Sequence, residues 1–167
     1  MCPANFLIGT SPNCNQAFII DFGLAKRYRD PRTRIHMPIR SDHHILTGTT
    51  SFTSLNSHLG IEQSRCDDLE SLAYILIYFL HGSLPWYNTK ASTNNQRNKI
   101  RQMKVNSIPS LVAGLPNEFS VFLDYTHALS FKSKPDYAYM RRLFRDLCIR
   151  EEHEDDDVFD WCLPTMN

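Results

Sequence analysis

The stretch that decides the fold lies in the middle of the chain, where residues 67–80 read DDLESLAYILIYFL. The two leading aspartates suit the positive end of a helix dipole. The His81-Gly82 pair that follows is typical of a helix C-terminus. The second half of the stretch is apolar on every side, which indicates a buried helix rather than a surface one. The sequence therefore predicts a central helix against which other elements pack.

Three more helices are expected after this one. The first is a polar segment at roughly residues 92–104, and the second starts behind Pro116 and Asn117. The third is capped by Asp136. Apolar residues recur at helical spacing in the last two, which predicts one buried stripe on each. These stripes contain Phe119, Phe122, Leu123 and Leu129, and then Tyr137, Met140, Phe144, Leu147 and Cys148.

The N-terminal part has a different pattern. Two short apolar runs, FLIG at residues 6–9 and AFII at 17–20, flank the turn-forming TSPNCN, which predicts a small β-hairpin. Asn5 precedes the first run, and Asp21-Phe22-Gly23 follow the second. An amide and a carboxylate thus lie at the two ends of one hairpin, where both could bind Mg²⁺. The alternative for Asn5 is a turn residue that caps its own backbone.

Composition limits the function classes. The chain has 167 residues, enough for one domain with a real core, and 18 basic residues balance 18 acidic ones. Zero net charge argues against binding to nucleic acid or a membrane surface through bulk charge. Five scattered cysteines without a C-x-x-C pair favour neither a zinc site nor a disulfide scaffold, and we expect a reducing compartment. We expect neither a signal peptide nor a membrane span.

The charges are unevenly distributed. Seven of the 18 acidic residues lie after residue 150, which is typical of a solvated terminal segment. Six basic residues fall between Lys26 and Arg40 and predict a basic loop. Nucleic-acid binding through this loop is disfavoured because Tyr28 is its only stacking aromatic.

Spaced blocks in the second half of the hairpin and beyond carry a resemblance to a known family. They are DFGLAK (21–26), LTGT (46–49), HLGIEQSR (58–65), DDLES (67–71), GSLPW (82–86), KPDY (134–137) and VFDW (158–161). The chain resembles the C-terminal lobe of a eukaryotic protein kinase, specifically of the casein kinase I family. That family has S-I-N in place of A-P-E, and Ser54-Leu55-Asn56 stands there in this sequence.

The resemblance implies a fold and a domain arrangement. We expect a mainly α fold with a small β-hairpin, the C-terminal helical lobe of a protein-kinase-like fold without the N-terminal lobe. Residues 1–162 would be a partial kinase domain with an activation segment at about 21–56, followed by a short tail at 163–167.

The resemblance also implies roles for single residues. Asp21 would hold the Mg²⁺ that bridges the phosphates of ATP, and Asn5 the second Mg²⁺, with Gly23 as a structural residue behind Asp21. Gly48 and Thr49 would bind the substrate peptide near its accepting hydroxyl. Asp68 would hydrogen-bond the catalytic loop, although helix N-capping explains it equally well.

Substrates of the family are proteins with Ser or Thr near acidic or phosphorylated residues. Lys26 and Arg97 match its anion-binding bases, but they could equally be solvated surface charges. At two further positions where the family has arginine, this sequence has Ser51 and Cys66. These replacements argue against a preference for phosphorylated substrates. We expect a protein of the cytoplasm or the nucleus that binds neither nucleic acid nor membrane.

The start of the chain departs from the family. The catalytic aspartate of H-R-D-x-x-x-x-N would fall before Met1, the lysine of that loop falls at Cys2, and the aspartate before Asn5 is Ala4. Without an N-terminal lobe, ATP binding should be weak at best, and no catalytic residue is present. Two functions follow: a truncated, inactive piece of a Ser/Thr kinase, or a pseudokinase-like interaction module.

Overall fold

A computed structural model describes residues 1–40, 49–153 and 159–162. These residues form a helical body with one two-stranded antiparallel sheet, which confirms the predicted mainly α fold with a small hairpin. The main elements are β1 (Phe6–Ile8), β2 (Ala17–Ile19), α1 (Leu55–His58), α2 (Arg65–His81), α3 (Asn94–Leu111), α4 (Asn117–Ala128) and α5 (Tyr137–Arg150). Two short 3-10 helices, Pro3–Asn5 and Asp160–Cys162, lie near the two ends of the chain.

Helix α2 is the central element, as its sequence predicts. It packs chiefly against α4 and also against α1. Its end is the predicted one, since Gly82 adopts a left-handed conformation with φ of 74°. The expectation of burial on every side is wrong for the last turn, where Phe79 and Leu80 are 56% and 54% exposed. The elements that cover the middle of α2 leave that turn open to solvent.

The hydrophobic core surrounds the middle of α2. Its fully buried members come from the segment just before α1, from α2 itself and from the segments that follow α2. They include Phe52, Ala73, Tyr74, Ile75, Ile77, Trp86, Ile100, Leu111, Phe122 and Leu123. The core as a whole joins residues that lie up to 88 positions apart in the chain, from Phe52 to Met140.

Helix α3 is longer than the predicted segment at 92–104. Thr93 and Gln96 form a reciprocal cap at its start, with the Gln96 amide 3.3 Å from the Thr93 hydroxyl. At its end the helix continues through Pro109 to Leu111. Leu111 is buried in the core, and this packing outweighs the cost of a proline in the last turn.

Helices α4 and α5 follow the predicted pattern with two corrections. The Asp136 carboxylate caps α5 by accepting a hydrogen bond from the Tyr139 amide at 2.9 Å. Met140 and Leu147 are buried as expected. Tyr137 and Cys148, which were assigned to the same stripe, are exposed because they lie at its edges.

The hairpin is the least buried element. Phe6 pairs with Ile19, Leu7 with Phe18 and Ile8 with Ala17. Every strand residue except Phe6 is exposed. Among the described helices, none is both long enough and apolar enough to cross a bilayer.

Candidate functional site

The open end of the hairpin brings together the two predicted metal ligands. The Ile20 amide donates a hydrogen bond to the Asn5 carbonyl at 2.9 Å, which extends the strand pairing by one residue. Asp21 follows directly, so Asn5 and Asp21 lie at the same end of the sheet. Asn5 is half-buried and Asp21 exposed, which leaves the Asp21 carboxylate accessible from solvent.

Asp21 has an unusual backbone conformation. Its φ is 62°, in the left-handed region that few residues other than glycine adopt, although aspartate tolerates it better than most. Its carboxylate accepts a hydrogen bond from the Gly23 amide at 3.3 Å. A Cβ atom at Gly23 would lie 3.3 Å from the same carboxylate oxygen. Gly23 therefore leaves room for the tight turn that aims this carboxylate.

The side chain of Asn5 already has a partner. The Cys2 thiol donates a hydrogen bond to the Asn5 amide oxygen at 2.8 Å. That oxygen is the atom that a cation would bind, since the amide nitrogen is a donor only. The thiol is weakly polar and neutral, so it competes with a cation for this oxygen without repelling it.

The donor set suits a magnesium ion that is shared with a ligand. Mg²⁺ is commonly held by one or two protein oxygens together with phosphate oxygens and water. Asn5 and Asp21 offer one amide oxygen and one carboxylate. The described part of the chain contains no group of three acidic, histidine or cysteine side chains able to hold a metal. The site therefore fits Mg²⁺ bound to a polyphosphate better than a metal held by protein alone.

The predicted substrate-binding segment is described from Thr49 onward, and Gly48 lies outside the described residues. Thr49 is exposed, and its carbonyl accepts a hydrogen bond from the Phe52 amide at 2.9 Å. Phe52 is inserted into the core at 2% exposure. Thr49 thus lies where the chain emerges from an anchored turn.

A buried lysine from α3 holds this segment from beneath. Lys104 has no solvent exposure, and its ammonium donates to the carbonyls of Thr53 and Thr50, the latter at 3.2 Å. Its nitrogen lies 4.8 Å from the ring centre of Tyr74 and 5.4 Å from that of Trp86. Burial lowers the pKa of Lys104 to about 7, and nearby Glu70 partly offsets this by stabilising the charge.

Trp86 provides a second hold on the same segment. Its indole N–H donates to the Ser51 carbonyl at 2.7 Å, and its ring is completely buried. Three backbone carbonyls, those of Thr50, Ser51 and Thr53, thereby accept hydrogen bonds from side chains at distant positions. Such buried carbonyls would otherwise lose their hydrogen bonds to water at a cost of about 1–3 kcal/mol each.

The start of α2 anchors the Ser54-Leu55-Asn56 triplet. The Asp67 carboxylate accepts hydrogen bonds from the Ser54 hydroxyl at 2.6 Å and from the side-chain amide of Asn56 at 3.1 Å. It also accepts the Ser64 backbone amide at 2.7 Å, which caps the helix. One carboxylate therefore joins the triplet to the helix terminus.

Glu70 completes this anchor one turn further along α2. It accepts hydrogen bonds from the Leu55 amide at 2.9 Å and from the Tyr74 hydroxyl at 2.8 Å, and His127 of α4 lies 3.5 Å away. Burial beside this carboxylate raises the pKa of Tyr74 well above its usual value. The tyrosine consequently stays protonated and remains a donor.

Asp68, the predicted catalytic-loop contact, lies beside Asp67 but in a different environment. It is exposed as a residue, whereas Asp67 is 1% exposed. Loss of hydration around its carboxyl raises the pKa of Asp68, and the charge of Asp67 adds to this effect. The hydrogen bonds described for this helix terminus involve Asp67, so the role of Asp68 stays a prediction.

The two predicted anion-binding bases have modest partners. Lys26 is 78% exposed and forms an ion pair with Glu62 at 3.3 Å. The Arg97 side chain donates from Nε to the Ala91 carbonyl at 3.2 Å. Both side chains keep donors for an anion, but each also has a structural contact.

The basic loop folds back on the helical body. The Arg65 guanidinium lies 4.3 Å from the ring centre of Tyr28, and His36 packs edge-on against Phe131. One isolated bridge joins Arg29 to His36. The loop aromatic that could stack on a base is therefore occupied by an arginine of the same chain.

Comparison with known families agrees with this geometry. Residues 2–80 match a family described as fungal protein kinase. This match covers less than half of the chain and supports a protein-kinase-like relationship. The matched region contains the hairpin with Asn5 and Asp21, the anchored segment and almost all of α2, and it ends before α3.

Sequence reasoning missed the anchors of the predicted substrate-binding segment. Lys104 carried a usable signal, because it lies between Ile100 and Ile108 at four-residue spacing, on the face of α3 that enters the core. A charged residue on an apolar stripe needs a buried partner. The partner itself, a pair of backbone carbonyls some 50 residues earlier, leaves no mark in the sequence.

Proposed function

We propose that residues 1–162 form the C-terminal lobe of a serine/threonine protein kinase of the casein kinase I type. The observation that carries this is the anchored triplet, in which Ser54 and Asn56 both donate to Asp67. The two polar residues of the S-x-N variant thereby have a structural purpose that A-P-E could not serve in the same way. The match to protein kinases over residues 2–80 supports the broader relationship.

In this proposal the hairpin holds the metal. Asp21 and Asn5 would hold Mg²⁺ on the phosphates of ATP, and the bound ion would neutralise charge on the transferring phosphoryl group. Asp21 contributes the formal charge, and the tight turn at Gly23 fixes its direction. Asn5 must give up the Cys2 thiol to become a ligand.

The segment that begins at Gly48 and Thr49 would receive the protein substrate. Its backbone carbonyls are held by Lys104 and Trp86, and its Ser54 and Asn56 side chains by Asp67, so an incoming Ser or Thr would meet a preorganised wall. Lys26 and Arg97 would attract acidic residues near the phosphorylated position. We propose that the protein acts in the cytoplasm or the nucleus.

Catalysis requires groups that the resemblance to the family, counted back from Asn5, puts before residue 1. We therefore propose that the 167 residues alone transfer no measurable phosphate. The first test is the 5′ end of the transcript, read for an in-frame extension that encodes a Gly-rich loop, a strand lysine and H-R-D. Finding these residues supports the kinase proposal, and a message that starts at Met1 contradicts it.

The second test is enzymatic. The longest encoded protein is incubated with labelled ATP, Mg²⁺ and casein, beside the variants Asp21→Ala and Asp124→Ala. Asp124 is an exposed residue of α4 and serves as the matched control. We expect Asp21→Ala to abolish transfer and Asp124→Ala to leave it unchanged. Equal activity of the two variants would refute the role of Asp21.

One observation favours a second function, a pseudokinase-like binding module. The family lysine is Cys2 here, and its thiol occupies the Asn5 oxygen that Mg²⁺ would need. For this function, titration of the longest encoded protein with Mg²⁺ and ATP should show no binding, and Cys2→Lys should not restore it. Binding of Mg²⁺-ATP by the wild-type protein would exclude this second function.

A further inference from the structure

Two cysteines from opposite ends of the chain meet at the closed end of the hairpin. Cys14 lies in the turn between β1 and β2, and Cys162 lies in the short helix Asp160–Cys162. Both thiols are free and half-buried. They line the same cavity of about 510 Å³, together with Gly9, Thr10 and Trp161.

Trp161 fixes the relative position of the two segments. Its indole N–H donates to the Cys14 carbonyl at 2.8 Å, and its ring stacks on Phe159 with 4.8 Å between the centres. Trp161, which directly precedes Cys162, is thus hydrogen-bonded to the backbone of Cys14. Independently, the Cys162 side chain raises the pKa of Cys14 through a thiol hydrogen bond, with loss of hydration as a smaller cause.

We propose that Cys14 and Cys162 form a reversible disulfide that ties the C-terminal segment to the hairpin. A disulfide-bonded small thiol such as oxidised glutathione is the oxidant. The thiolate of Cys14 attacks one glutathione sulfur and releases one reduced glutathione. The thiolate of Cys162 then attacks the Cys14 sulfur of the mixed disulfide and releases the second. Two thiol protons and two electrons pass to the oxidant for each bond formed.

The disulfide would stabilise the hairpin, which is the least buried element of the structure. The strands of the hairpin are largely exposed and carry Asn5 and Asp21 at their other end. A link between residues 14 and 162 closes most of the chain into one loop, which restricts the unfolded state strongly. We expect the oxidised protein to melt roughly 5–10 °C above the reduced one.

The other cysteines provide internal controls. Cys66 lies in the first turn of α2 and is only 5% exposed, so a disulfide in solution has little access to its thiol. Cys148 is exposed on α5, and the Cys2 thiol is hydrogen-bonded to the Asn5 side chain. These three thiols should not pair with Cys14 or Cys162.

The test is equilibration of the full chain in glutathione buffers, followed by acid quench, alkylation and tryptic mapping. Trypsin gives peptide 1–26 with Cys2 and Cys14, and peptide 151–167 with Cys162 alone. In a Cys2→Ser background, a cross-linked pair of these peptides identifies the bond. We expect it in the Cys148→Ser variant, and its loss in Cys14→Ser and Cys162→Ser.

Two comparisons separate a built site from chance pairing. The equilibrium constant for the bond should be at least about tenfold higher in the native protein than in guanidinium chloride, because the fold brings the segments together. Trp161→Ala should lower it roughly tenfold, since the anchoring hydrogen bond is lost. Equal constants in folded and unfolded protein, or a bond to Cys2 or Cys148 instead, would overturn the proposal.

Discussion

The hairpin and the anchored segment at 49–56 are both short and irregular in sequence, but they differ in how deeply their side chains are buried. The hairpin projects its apolar side chains Leu7, Phe18 and Ile19 into solvent. In the anchored segment, Phe52, Thr53 and Ser54 are each at most 4% exposed. The difference lies in what is packed behind them: α2 and α3 support the segment, whereas the described residues leave most of the hairpin uncovered. A segment becomes rigid through its support more than through its own composition.

Removing the buried lysine should produce the largest effect on this contrast. We expect Lys104→Met to lower the free energy of unfolding by about 3 kcal/mol at pH 8, because the Thr50 and Thr53 carbonyls lose their hydrogen-bond donor. Denaturant unfolding measures it. Lys99→Met, an exposed change on the same helix, should cost no more than about 0.5 kcal/mol. Equal losses in the two variants would show that Lys104 does not support the segment.

The two neighbouring aspartates of α2 should differ next. We expect Asp67→Asn to cost about 2 kcal/mol, since its carboxylate accepts hydrogen bonds from Ser54, Asn56 and the Ser64 amide. Asp68→Asn should change stability by no more than about 0.5 kcal/mol. Thermal and denaturant unfolding of both variants decide the comparison. A larger loss for Asp68→Asn would mean that the anchor described for Asp67 carries little stability.

The lowered pKa of Lys104 gives the contrast a pH dependence. In the folded state its pKa is about 7, against about 10.4 in the unfolded chain. Between these values the unfolded state holds the extra proton, so this group makes the protein more stable as the pH rises above 7. Relative to Lys104→Met, the wild type should gain about 1.4 kcal/mol between pH 6 and pH 8. A stability difference that is constant over this range would contradict the assignment.

His58 should make the stability of the protein depend on pH in the acidic range, below the range in which Lys104 titrates. Burial lowers its pKa to about 4, and the charge of Lys104 adds to this. The unfolded state therefore takes up a proton first as the pH falls from 6.5 towards 4, and stability is lost in that window. We expect His58→Gln to weaken this acid sensitivity, and His153→Gln, an exposed control, to leave it unchanged. Urea unfolding at pH 6.5 and pH 4.5 provides the measurement.

The hairpin should respond locally. A Cβ atom at Gly9 would lie 2.1 Å from the Asn13 carbonyl oxygen, so Gly9→Ala must open the turn. Because the exposed hairpin opens without the core, global stability should fall by only about 1 kcal/mol. Amide exchange in β1 and β2 should accelerate while α2 stays protected, and Ser11→Ala in the same turn should change neither. Loss of protection in α2 would show that hairpin and core unfold together.

The smallest effect is expected at Lys26. Its ion pair with Glu62 is exposed, so Lys26→Ala should change stability by at most about 0.5 kcal/mol. A double-mutant cycle with Glu62→Gln measures the pair directly. A coupling above about 1 kcal/mol would mean that Lys26 is structural rather than free to bind anions.

Local signals predicted most elements of the fold. The Gly82 terminus of α2, the Asp136 cap of α5 and the two hairpin strands follow from single residues or short runs. Prediction failed where packing overrides propensity, as in the extension of α3 through Pro109. It also failed for Phe79 and Leu80, since hydrophobicity alone does not show which turn of a helix lies beyond its neighbours.

The same distinction applies to the candidate site. The sequence by itself predicted that Asn5 precedes the first strand of the hairpin and that Asp21 follows the second, because turn and strand preferences act over a few residues. It also showed Thr49 further along the chain. Tertiary structure alone decided that Lys104 and Trp86 hold the backbone of residues 50–53, and that Cys14 shares a cavity with Cys162. Such contacts join positions 35 or more residues apart, and they form only when burial of the common core outweighs the entropy of closing the chain between them.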